Sequence, residues 1–91
     1  MRIIFCGFGR AGKEIFYQLS LRKDFTSSNI LAFCHDNDDE LITELLRNNI
    51  KVYKNSINKH LGDVEKFKPD YIISVYYKFI ISDEILRVVS F

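Results

Sequence analysis

Apolar residues fall into short unbroken runs separated by stretches in which they recur every three or four positions, and the two patterns alternate along the chain. Ile3-Ile4-Phe5, within Arg2 to Cys6, is β-rich and apolar at successive positions, which predicts a central strand covered on both faces. Gly7, Gly9 and Gly12 break the chain, and from Gly12 to Leu21 the residues Ile15, Phe16 and Leu19 recur at helical spacing. Lys23 to Asn29 is polar and turn-like. Ile30 to Cys34 forms a second run that stops at His35-Asp36-Asn37-Asp38-Asp39. Leu41, Ile42, Leu45 and Leu46 then mark one face of a helix from Asp39 to Asn48, with Asp38 or Asp39 as its cap and an acidic first turn that suits the helix dipole. A third strand is predicted at Lys51 to Tyr53. Ile57, Leu61, Val64 and Phe67 define a third helix, which Pro69 ends by biasing Lys68 away from helical geometry. Tyr71 to Tyr76 reads as the fourth strand, and Ser82 or Asp83 can cap a last helix through Ile85, Leu86, Val88 and Val89.

Strands alternating with helices at these spacings imply right-handed βαβ units, hence an α/β Rossmann-like parallel sheet with helices on both faces. The expected strand order is 3-2-1-4, with ligands at the carboxyl ends of the strands. Strand four would lie at an edge, and ending at Phe91 would leave its backbone groups unpaired, which invites self-association.

Ninety-one residues accommodate one domain with a marginal core. Thirteen basic and twelve acidic residues leave a net charge of +1 with no one-sided basic stripe, so nucleic-acid binding gains no electrostatic support. Cys6 and Cys34 sit in apolar runs and read as reduced, buried thiols. The opening MRIIFCGFGR is too short and too soon broken by glycine for a signal peptide, and no apolar run reaches the roughly 20 residues of a membrane span. A cytoplasmic location is expected.

Two constellations could carry chemistry. Gly7-Phe8-Gly9-Arg10-Ala11-Gly12 is a G-x-G-x-x-G between strand and helix, with Asp36 at the end of the second strand. The glycines would let a pyrophosphate approach a helix N-terminus, and Asp36 would accept from a ribose hydroxyl. The same glycines also suit any tight βα turn, so an NAD(P)- or nucleotide-binding module stays open as an alternative. The second constellation is Phe79-Ile80-Ile81, an apolar run leaving the carboxyl end of a strand, where backbone N–H and C=O groups could read the edge of a flat heteroaromatic ligand. Packing of the next helix would equally explain it. Tyr77 and Lys78 would line the same mouth or be solvated. His35, in an acidic turn, and His60, on the polar side of the third helix, read as structural or solvated. Asp36, Asp38, Asp39 and Glu40 lack the glycine and terminal glutamate of a calcium loop and read as a helix cap with a solvated first turn. No metal site is expected.

The stretch from Asp70 to Leu86, with Tyr76-Tyr77-Lys78-Phe79-Ile80-Ile81 followed by Asp83-Glu84-Ile85-Leu86, resembles the fourth strand, cofactor loop and following helix of the 10-formyltetrahydrofolate-dependent formyltransferases. It is most similar to the sugar N-formyltransferases, such as the domain acting on UDP-4-amino-4-deoxy-L-arabinose. Met1 to Phe5, Phe33-Cys34-His35-Asp36-Asn37 and Asn49-Ile50-Lys51-Val52-Tyr53 are similar in order and spacing, so the likeness spans nearly the whole chain. It implies the N-terminal part of a formyltransferase domain over residues 1–91, with Tyr77, Lys78, Phe79, Ile80 and Ile81 at the pterin of 10-formyltetrahydrofolate. The acceptor would be the amine of a nucleotide-linked sugar, or, in the methionyl-tRNA branch, an aminoacylated tRNA. The family's Asn-x-His motif and later acidic residue lie downstream of the matching helix, so no catalytic residue is assigned here, and a chain of this length is expected to be inactive alone.

Overall fold

The computed structural model describes residues 1–35 and 39–89. Four strands, β1 (Ile3–Gly7), β2 (Ile30–Phe33), β3 (Lys51–Tyr53) and β4 (Tyr71–Val75), form one all-parallel sheet in the order β3-β2-β1-β4. Helices α1 (Gly9–Ser20) and α2 (Asp39–Arg47) lie on one face, and α3 (Leu61–Phe67) and α4 (Asp83–Val88) on the other. The architecture is the expected Rossmann-like α/β one, with β1 inside the sheet and β4 at an edge.

Strand parity explains why the runs contain no polar breaks. Phe5, Ile30, Ala32 and Cys34 meet Phe16, Leu41, Ile42 and Leu45 on the first face. Ile4, Cys6, Leu31 and Phe33 meet Ile57, Val64 and Ile85 on the second. Successive side chains alternate between faces, and because helices cover both, each position must be apolar. Phe5 and Phe16 lock α1 to β1 in an edge-to-face pair at 5.9 Å.

Several predicted details differ, each for a local reason. The helix expected from Ile57 to Phe67 is broken at His60: a 3-10 turn, Ile57–Lys59, precedes α3, so the three-to-four spacing of its apolar residues survives without a continuous helix. His60 therefore stands at the start of α3 and not on its polar side. Lys68 ends α3 in the left-handed region at φ 53°, where Pro69 prevents a further turn. Ile15, Leu46 and Leu86 fit the helical periods but are exposed, because each helix contacts the sheet along only part of the stripe. Helix α1 begins at Gly9, earlier than the apolar spacing indicated. Tyr76 lies beyond β4, at φ 55°. Ser82 caps α4, its hydroxyl accepting from the Ile85 N–H. Asp36 and Asp38 lie outside the described residues. No helix among the described residues is long and apolar enough to cross a membrane.

Candidate functional site

The carboxyl ends of β1, β2 and β4 bring Phe8, His35 and the chain from Tyr76 to Ser82 together. The β4–α4 loop turns sharply at Tyr76, whose left-handed backbone is uncommon for a bulky residue and whose side chain is 78% exposed. Beyond that turn the loop is fastened at three points.

The first is Tyr77. Its ring is half-buried against the second-face core, and its hydroxyl accepts from the Ile57 N–H at 3.0 Å while donating to the Asn55 carbonyl at 3.2 Å. Burial pushes its phenol above the usual value, and the Ile57 N–H, which stabilises a phenolate, pulls part of the way back. The second is His35, only 5% exposed, whose Nε2 accepts from the Lys78 N–H at 2.9 Å. An amide can only donate, so the neutral ring must carry its proton on Nδ1. The ring stacks on Phe8 at 4.4 Å and meets Phe79 edge-on at 6.0 Å. The third is Asn58, whose Nδ2 donates to the Ile80 carbonyl at 2.6 Å and whose Oδ1 accepts from the Ser82 N–H at 2.8 Å.

The five residues singled out from sequence thus have different surroundings. Tyr77 and Ile81 turn into the core, and Phe79 sits half-buried in a ring cluster with Tyr77 and His35. Lys78 holds its ammonium 5.0 Å from the centre of the Phe79 ring, and Ile80 projects into solvent, 88% exposed. Among the described residues, no protein partner meets the N–H and C=O of Phe79, the N–H of Ile80, or the N–H and C=O of Ile81. A fastened loop with an unused backbone edge can bind a planar ligand whose rim alternates donors and acceptors.

The glycine turn has a different basis. A Cβ at Gly7 would stand 2.8 Å from Phe5 Cε1, and one at Gly12 3.1 Å from Leu41 Cδ2. These two glycines are therefore accounted for by close packing against Phe5 and against Leu41 of α2. Gly9 has φ 65° with open space beside it, a conformation that favours glycine. Asp36, the acceptor a ribose would need, lies outside the described residues.

His60 packs on Tyr53 at 4.2 Å and near Phe33 at 5.6 Å, with Nε2 2.6 Å from Asn55 Oδ1 and Nδ1 3.5 Å from Asp63 Oδ2. Asn58-Lys59-His60 has an Asn-x-His spacing, but Asn58 is engaged with the β4–α4 loop and His60 with Asn55 and Asp63. Cys6 and Cys34 are buried free thiols. Among the described residues no cluster of three or more His, Cys, Asp or Glu could hold a metal ion.

The roles of Asn55, Asn58 and His35 carried no signal in the linear sequence, because their partners lie 22 to 43 positions away. No protein-family model matches the chain, and no curated protein sequence matches it.

Proposed function

We propose that this chain is the cofactor-binding part of a 10-formyltetrahydrofolate-dependent formyltransferase acting on an amine of a nucleotide-linked sugar. One observation carries the reading: in the Phe79–Ile81 segment, at the carboxyl end of β4, every backbone polar group except the Ile80 carbonyl is without a protein partner among the described residues, beside an exposed isoleucine, while the loop is fastened at three points. The resemblance of Asp70 to Leu86 to the family's cofactor loop supports the same place and ligand. An aminopyrimidinone rim offers the alternating donors and acceptors such an edge can pair with, and Ile80 offers apolar surface for the ring.

When bound, the cofactor supplies the formyl carbon. This chain's own residues would bind and orient its ring: Phe79 to Ile81 through their backbone, Tyr77 and Lys78 by fixing where that backbone runs. The groups that handle the amine's protons are not assigned to residues of this chain.

Nuclear magnetic resonance titration of the isotope-labelled chain with folic acid tests the reading. The amides of Phe79, Ile80 and Ile81 should shift and exchange more slowly with solvent. Absence of any shift there, with NAD instead perturbing Phe8 to Gly12, would replace the proposal with a dinucleotide site at the glycine turn.

A further inference from the structure

We infer that Asn58 is the positioning residue of the β4–α4 loop: its single amide group fixes Ile80 and Ser82 relative to each other, so the free backbone edge stands preformed before any ligand arrives.

The geometry admits one orientation of the amide. Ile80 offers a carbonyl, which only Nδ2 can satisfy, and Ser82 offers an N–H, which only Oδ1 can satisfy. Both bonds are short, 2.6 and 2.8 Å, and they bracket Ile81 from either side. The side chain does for these two residues what a neighbouring strand would do for alternate backbone groups.

The anchor is itself held. Asn58 lies in the 3-10 turn Ile57–Lys59, where the buried Ser56 accepts the Asn58 N–H on its hydroxyl and the Lys59 N–H on its carbonyl. Tyr77 reaches the same turn through Ile57 and Asn55. Both ends of the loop are therefore fixed to one rigid segment between β3 and α3. Ser82 also caps α4 through the Ile85 N–H, so Asn58 couples the loop to the start of that helix. The Ile80 carbonyl is already occupied, which leaves the N–H of Ile80 and both groups of Phe79 and Ile81 for a ligand.

Preorganisation matters because a loop that must order on binding loses affinity for each residue it fixes. This consequence rests on the proposed reading of the loop as a ligand site, whereas the lock itself is a property of the free protein.

Two measurements on the full chain separate these claims. In Asn58→Ala the Ser82 amide should exchange with solvent about three- to tenfold faster than in the native protein, the scale expected for losing a modest hydrogen-bonded contact. The β1 amides, which report global opening, should speed up by no more than that factor, since the lost contact is absent from the unfolded chain. Folic acid should bind more weakly by a similar factor. Asn58→Asp keeps the acceptor for Ser82 but sets a carboxylate against the Ile80 carbonyl, so it should restore protection at Ser82 without restoring affinity. Lys59→Ala, one position along the same turn, should match the native protein in both measurements.

Unchanged exchange at Ser82 in Asn58→Ala would overturn the inference. So would faster exchange with full affinity, since loop order would then be irrelevant to binding, or lost affinity with native exchange, since Asn58 would then act by touching the ligand. Should the native chain show no response to folic acid, the formyltransferase reading falls, while the exchange result still decides whether Asn58 sets the loop.

Discussion

Tyr77→Phe removes one oxygen atom and leaves the ring in place, so it isolates the hydroxyl that ties the β4–α4 loop to the Asn55–Ile57 segment. That hydroxyl makes two bonds, to the Ile57 N–H and to the Asn55 carbonyl. Asn55 is exposed, and water replaces its lost donor at little cost. Ile57 is fully buried, and its amide would be left without a partner. A net hydrogen bond is worth about 0.5–1.5 kcal/mol, and a buried group left unsatisfied costs about 1–3 kcal/mol. The expected loss is therefore about 2 kcal/mol, a large share of the stability of a chain this short. Urea unfolding followed by far-ultraviolet circular dichroism gives the number, with the slope against denaturant unchanged because the same surface is exposed. The Ile57 amide should also exchange faster in the variant. A loss below about 0.5 kcal/mol at equal slope would mean that Tyr77 does not hold the loop, and the picture of a shelf fastened at three points would fail.

Stability should also fall in alkali. Burial, assisted by Cys34, pushes the Cys6 thiol from 9.0 up to about 12, so between those values the unfolded chain releases a proton that the folded one keeps. The unfolded state gains, and stability should drop with a slope of up to about 1.4 kcal/mol per pH unit. Cys6→Ala should flatten that slope in urea titrations at rising pH, and an unchanged slope would contradict the assignment. Tyr77→Phe should reduce the loss above pH 10.0, the ordinary phenol value from which Tyr77 is raised. Gly7→Ala forces a Cβ to within 2.8 Å of a buried ring, at about 1–3 kcal/mol, whereas Gly9→Ala meets only an unfavourable φ, at about 1 kcal/mol. A reversed order of urea midpoints would refute the packing account of the turn. At the sheet edge, Phe8 N–H donates to the Val75 carbonyl, so alternation points the backbone of Ile73 toward β1 and that of Ser74 outward. Ser74→Pro should be tolerated and Ile73→Pro should unfold the chain, as read by circular dichroism; equal effects would place the ladder differently.

The sheet was legible because its cause is local and repeated. A strand between two helical layers has no polar position, so Ile3 to Cys6 and Ile30 to Cys34 announce themselves, and the alternation with helical spacing leaves few parallel topologies. The break at His60 was not legible, because a 3-10 turn followed by a helix leaves the same apolar spacing as one continuous helix. The exposure of Leu46 and Leu86 was hidden for a related reason: periodicity gives the stripe, and the neighbour's width decides how much of it is covered.

The candidate site divides along the same line. Phe79-Ile80-Ile81 could be placed at the mouth of the sheet from order alone, since whatever follows a parallel strand emerges at its carboxyl end. Which of its atoms are free could not, because that depends on groups far away in sequence: a histidine at the end of β2, a tyrosine hydroxyl reaching toward α3, and one asparagine amide. An apolar run after a strand ordinarily becomes core, and Ile81 does. Ile80 does not: its carbonyl is held by Asn58, and its side chain is 88% exposed. Asn58 thus makes the side-chain contact to the Ile80 backbone among the described residues. Removing that contact should change the shape of the loop before it changes the stability of the sheet beneath it.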